Sequence, residues 1–262
     1  MSNASSPPGV NSQPFQVASP SSVPGDHVPM AKPSISEDPT LGDEIITLYV
    51  GKKRKKFTVH KKLLCDRCEF FSKAFSGNFQ EAEKGEMHLP EDNSTTVASL
   101  VDYLYRGSLP KPSVDGDYSK ALRLYWLADK ICMTTLMDKC LDAIRRNAAT
   151  FNIHPGPGLI KQIYSKTSSD SMIRKYYAGI VSCGIARWGK EGTRVDEFIE
   201  LHANCPDFLL DVFRWQLDHG IDVAEALRKN RLIPLHEVVE LFGPCEFHSH
   251  GEVETCYLKA GK

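Results

Sequence analysis

Apolar positions first recur at every second residue. In Ile45-Ile46-Thr47-Leu48-Tyr49-Val50, the side chains of Ile46, Leu48 and Val50 share one face, and the β-branched content supports a strand. Gly51 and the run Lys52 to Lys56 form a polar turn, and Phe57-Thr58-Val59-His60 reads as the return strand of a hairpin. The period then lengthens. Leu64, Cys68, Phe71 and Phe75 are spaced i, i+4, i+7, i+11, one stripe of a helix that Gly77 ends. Glu86-Met87-His88-Leu89 is a short strand stopped by Pro90, and Asp92 or Asn93 caps the next helix with a short side-chain oxygen. Val97, Leu100, Val101, Leu104 and Tyr105 give that helix a wide apolar face, and Gly107 closes it.

After a Pro/Gly/Asp linker from Leu109 to Asp117, the pattern is helical throughout. One helix carries Leu124, Leu127, Ala128 and Ile131; the next carries Met137, Cys140, Leu141 and Ile144. The breakers His154-Pro155-Gly156-Pro157-Gly158 mark a boundary. Beyond them come Ile160 to Tyr164, then Ile173, Tyr176, Tyr177 and Ile180, then Phe198 to Leu201. Pro206 opens a helix with Leu209, Val212, Phe213 and Leu217, and a last helix runs from Leu235 to Phe242. The tyrosine stripe reads as core, as do Phe208, Phe213 and Trp215; an exposed Trp215 beside Arg214 would instead anchor a partner. The residues after Gly243 are polar and rich in Cys and His.

Composition refines this picture at the N-terminus. Eight of the sixteen prolines fall within the first forty residues, among many serines and few apolar side chains. Such a stretch buries too little surface to offset its ordering entropy and is expected to be disordered. Lys and Arg number 32 against 33 Asp and Glu, for a net charge of -1. That balance gives no overall field for nucleic acid or an anionic membrane. No segment approaches the ~18 uninterrupted apolar residues of a membrane span, and Met1 to Val10 lacks a secretory pattern. An intracellular, reduced setting in cytoplasm or nucleus follows as the expectation, with the eight cysteines as thiols or metal ligands.

The order strand, hairpin, helix, short strand, helix, linker, helix pair resembles the BTB/POZ family. Phe57-Thr58-Val59-His60-Lys61-Lys62-Leu63-Leu64 is similar to that family's strand-to-helix entry, and Glu69-Phe70-Phe71-Ser72-Lys73-Ala74-Phe75 to its aromatic-x-x-x-aromatic helix. His88-Leu89-Pro90-Glu91-Asp92 resembles the short strand and its exit, and Leu100 to Gly107 the Tyr-x-Gly helix end. The Pro-rich head and helical rear resemble the single-BTB proteins of filamentous fungi. The resemblance implies an α+β fold: a small sheet capped by helices over 43–147, followed by an all-helical region at 150–242, with a disordered tail at 1–42 and a Cys/His-rich tail at 243–262. It also implies a non-enzymatic adaptor that recruits clients to a cullin-3-type ubiquitin ligase. The alternative is a nuclear scaffold or transcriptional co-regulator, imported through Lys52 to Lys56. Many family members homodimerise through an extra helix and strand ahead of the first strand; the Pro/Ser stretch here cannot supply them.

Two groups of residues carry candidate chemistry. Phe79-Gln80-Glu81, after the first helix, resembles the apolar-x-Glu motif by which some BTB domains grip cullin-3, and Tyr125 could join that surface or lie in the core. Cys245-x2-His248-x-His250-x5-Cys256 offers four ligands within twelve residues, enough for one tetrahedral structural zinc, with a solvated tail as the alternative. Cys65-x2-Cys68 reads as packed thiols, since Cys68 lies on the apolar stripe. No Gly-x-Ser-x-Gly, P-loop or His-Glu-x-x-His pattern occurs, so no catalytic residue is assigned.

Overall fold

The computed structural model describes residues 41–112, 117–192, 197–198, 201–230, 233–250 and 256–259. The expected disordered tail therefore lies outside the described residues, save Leu41 and Gly42.

Strands β1 (Ile45–Val50) and β2 (Lys55–His60) form the hairpin, with Ile46 opposite Val59 and Leu48 opposite Phe57. Gly51, at φ +71°, starts the turn and accepts a 2.9 Å bond from the Arg54 amide; few other residues tolerate that backbone. A third strand, β3 (Glu86–Leu89), lies along the other edge of β1 in parallel, giving the order β2-β1-β3. A parallel neighbour requires a crossover, and three short helices supply it. These are α1 (Lys61–Arg67), α2 (Glu69–Ser76) and α3 (Gln80–Lys84).

The continuous helix expected through Leu64 to Phe75 is in fact two. Cys68 takes extended backbone (φ -145°, ψ 111°) between them, and its carbonyl accepts the Ser72 amide at 2.9 Å. All four stripe residues are still buried. Periodicity therefore located the buried side chains without revealing that the helix axis is redirected at a core cysteine.

Helix α4 (Ser94–Arg106) starts at Asn93, whose Oδ1 accepts the amides of Thr95 (2.8 Å) and Thr96 (3.4 Å). Replacing Asn93 with Ala should cost about 1 kcal/mol in urea unfolding, since those donors lose their partner. Gly107 at φ +66° closes the helix by donating to the Tyr103 carbonyl. Here Tyr103 is buried, whereas Tyr105 points outward, its hydroxyl 2.6 Å from His60 Nδ1. Tyr105 is thus corrected from core to surface.

Helices α5 (Ser119–Lys130) and α6 (Thr134–Phe151) pack together, and Leu124, Leu127, Ala128, Met137, Cys140, Leu141 and Ile144 are all buried. The rear region comprises α7 (Pro157–Tyr164), α8 (Met172–Gly192), α9 (Pro206–Lys229) and α10 (Leu235–Glu240), then a 3-10 turn at Pro244–Phe247. One hydrophobic core runs from the sheet through α5 and α6 into α8, α9 and α10. Tyr176, Tyr177, Ile180, Phe208 and Trp215 lie in it, so Trp215 is no surface anchor. Phe213 and Leu217 were expected on the buried face of α9, but both are exposed. The buried face is Phe208, Val212, Trp215 and Val223, at i, i+4, i+7 and i+15, so Phe208, Val212 and Trp215 lie in the core as expected, while Phe213 and Leu217 belong to a second apolar stripe beside it.

Candidate metal centre and partner surface

Among the described residues after Gly243, Phe247, His248 and Cys256 are buried, so this stretch is docked rather than solvated. Phe247 is fully buried, stacking on Trp215 at 5.6 Å and meeting Tyr176 edge-on at 5.5 Å. With Phe247 seated in the core, His248 turns inward over α6. The ligand atoms of Cys245, His248, His250 and Cys256 all lie within 4.8 Å of one another. A tetrahedral zinc with bonds of about 2.0–2.3 Å needs ligand atoms roughly 3.3–3.8 Å apart, so the group needs only a small contraction to close. His248 and Cys256 are buried; Cys245 is exposed. The non-helical backbone allows two histidines two residues apart to face one point.

Groups on α6 orient this set. His248 Nε2 lies 3.2 Å from Asp142 Oδ2 and its Nδ1 lies 3.4 Å from Cys256 Sγ. An ionised carboxylate only accepts, so Nε2 carries a proton and Nδ1 is the atom that would bind a metal ion. Metal-bound histidines regularly have such a carboxylate behind them. Asp142 Oδ2 also accepts from the Tyr257 hydroxyl, and Oδ1 accepts from Arg145 Nη1 at 2.9 Å. Burial pushes the Asp142 carboxyl up, but His248, Tyr257 and Arg145 outweigh it and hold it below its ordinary value. Burial lowers His248, and Asp142 more than reverses this, so the imidazole ends above its usual pKa. Burial likewise raises the Cys256 thiol, yet the Leu258 backbone, His248, Cys245 and His250 bring it down to about 7. A thiol so depressed yields the thiolate that a soft metal ion requires.

One turn before Asp142, Asp138 Oδ1 accepts the Ser249 amide at 2.6 Å. One turn after it, Arg145 donates to both Glu240 oxygens of α10, at 3.0 and 2.6 Å, with its guanidinium over the Phe247 ring at 4.7 Å. Nothing local in the sequence singles out Asp138, Asp142 and Arg145. At i, i+4 and i+7 they look like the wet side of α6, and no local signal shows that residues a hundred positions later cover them.

The apolar-x-Glu motif sits where α2 gives way to α3. Phe79 has extended backbone (φ -91°, ψ 158°), and its carbonyl accepts the Ala82 amide at 3.0 Å. Its ring lies over Gly77, where an added Cβ would stand 2.9 Å from the ring edge. Phe79 is 60% exposed, and Glu81 in the first turn of α3 is half-buried. Tyr125 does not join them: it is fully buried, its hydroxyl 3.0 Å from Ser171 Oγ, and burial raises it to about 12. The Lys52, Lys53 and Arg54 side chains are exposed in the hairpin turn, with Arg54 over Tyr49 at 5.1 Å. Among the described residues, no helix is long and apolar enough to cross a membrane.

The BTB-matching part of the architecture is a three-stranded mixed sheet with a helical crossover and two closing helices. Residues 45–148 match the BTB/POZ domain family, so this part of the chain is a BTB/POZ domain, a protein–protein interaction module. Rho-related BTB domain-containing protein 1 of Mus musculus is 35% identical over 98 residues, which are 37% of this chain and 13% of that protein. BTB and MATH domain-containing protein 42 of Caenorhabditis elegans is 30% identical over 102 residues, 37% of this chain and 24% of that protein. The chain thus spans a quarter or less of the length of these relatives. The rear helices and the Cys/His cluster lie beyond the matched residues.

Proposed function

We propose that this chain is a non-enzymatic adaptor that joins a client protein to a cullin-3-type ubiquitin ligase. The carrying observation is Phe79, an aromatic ring 60% exposed at a helix start, two residues before a carboxylate. A ring of that kind fills a groove on a partner, and Glu81 fixes the register. The client is held by the surface of residues 150–242. Recovery of a cullin-3 amino-terminal domain by immobilised full chain should drop about tenfold on Phe79→Ala, the cost expected of a moderate hot spot. Since Phe79 is exposed, the circular dichroism of the variant should be unchanged. Equal recovery by both proteins removes the cullin reading.

We also propose that Cys245, His248, His250 and Cys256 hold one zinc ion. The donor set, the proton placement on His248 and the burial of two ligands support this. Four protein ligands leave no open position, so the ion would be structural. Elemental analysis should find one zinc per wild-type chain and none after Cys256→Ser with His250→Ala; a metal-free wild type purified without chelator discards the assignment.

A further inference from the structure

The two cysteines of the Cys/His cluster stand in opposite settings. Cys245 is exposed on the 3-10 turn, whereas Cys256 is buried. Their sulfurs lie within the 4.8 Å that spans the whole group, and the two thiols are hydrogen-bond partners. A disulfide needs about 2.05 Å between sulfurs, so closure asks for a turn of side chains and not of an element. Cys245, at the surface, has room for that turn. Cys132 is the other exposed thiol, but its neighbours Cys65 and Cys68 are occupied: they donate to the Phe71 and Ile131 carbonyls at 3.8 and 3.5 Å. Both cysteines of the cluster lie outside the matched BTB/POZ residues.

We propose that Cys245 and Cys256 form a thiol switch, whose oxidation by a hydroperoxide joins them in a disulfide and releases the zinc. This rests on the zinc assignment above and gives that site a regulatory role. The exposed Cys245 meets the oxidant first. Its zinc-held thiolate attacks one oxygen of the peroxide; the S–O bond forms, the O–O bond breaks, and hydroxide leaves and takes a proton to become water. Cys256, shielded from the oxidant by burial, resolves the product. Its thiolate attacks the Cys245 sulfur; the S–S bond forms, the S–O bond breaks, and a second hydroxide leaves as water. The two thiolates lose two electrons together, and the peroxide gains them. His248 and His250 alone are half of a tetrahedral ligand set, so the ion departs.

The surroundings make the change local and reversible. Cys256 Sγ lies 3.4 Å from His248 Nδ1, so drawing that sulfur toward Cys245 takes a neighbour from the imidazole that faces it. His248 and Ser249 then keep only their contacts to Asp142 and Asp138 on α6. Phe247, fully buried against Trp215 and Tyr176, and the pairing of Arg145 with Glu240 use none of the four ligands. They hold the preceding turn in place while the ligands come apart, so reduction can rebuild the site.

Treating the zinc-loaded full chain with hydrogen peroxide tests this, with freed metal read by a chromogenic indicator and the cysteines mapped by mass spectrometry. Zinc release should exceed that in buffer at least about tenfold, with one ion freed for each disulfide between Cys245 and Cys256. A phosphine reductant with added zinc should return the ion to the chain. Cys132→Ser should respond as wild type does. In Cys256→Ser, which cannot close the bond, a 1,3-diketone should label a sulfenic acid at Cys245. Zinc retained through the treatment overturns the switch and leaves the zinc assignment standing. Release with oxidation at Cys132 alone, or release that reductant and zinc do not reverse, also overturns the switch. An unlabelled Cys245 in Cys256→Ser overturns the order of the two steps. A chain that never binds zinc fails the assignment itself, and the switch with it.

Discussion

Arg145→Ala is expected to lower the free energy of unfolding by about 3–5 kcal/mol, with the slope of the urea transition unchanged. Its guanidinium is almost wholly buried and makes charged hydrogen bonds to Asp142 and to both carboxylate oxygens of Glu240. Removing it leaves Asp142 in a poorly solvated place with one cation fewer. The loss also releases the stack on Phe247, so packing is lost together with charge. Glu240 is about half exposed and regains water, which keeps the cost within that range. Arg145→Lys should recover only part of it, because an ammonium cannot reproduce the two-pronged contact with Glu240. A change below about 1 kcal/mol for Arg145→Ala would mean that the network does not hold the tail to α6.

Chelation gives the second large effect. Stripping zinc at neutral pH should lower the melting temperature by about 10 °C and restoring it should recover the loss, whereas magnesium should not. The ion would be worth less here than in an isolated finger, because Phe247, Asp138 and Asp142 keep part of the tail docked without it. Hydrogen exchange supplies a local readout: the Ser249 amide, bonded to Asp138, should exchange quickly once the metal is gone. Cys256→Ser should begin at the lowered temperature and ignore the chelator. A wild type whose melting is untouched by chelator would leave the cluster without its structural role.

Much of the BTB half was legible in the sequence because its signals are local. Alternation at Ile46, Leu48 and Val50 placed β1, and Asn93 and Gly107 marked both ends of α4. The spacing of Cys245, His248, His250 and Cys256 was enough to suspect a cluster. The misreadings share one cause: which face is covered depends on distant chain. Tyr103 and Tyr105 are two residues apart on one helix, and only the packing of α4 decides which turns inward. Tyr125 satisfies its hydroxyl at Ser171, forty-six positions away, so its burial left no trace nearby. On α9 two apolar rows compete, and composition could not rank them.

The face of α6 bearing Asp138, Asp142 and Arg145 also sets an order of events during synthesis. Its covering contacts come from positions 95 to 115 residues further along. Until those later residues are present, that face has only water to solvate its charges. Glu240, His248 and Ser249 supply most of that cover, so a premature stop before Glu240 would leave a product whose charged flank stays open to water.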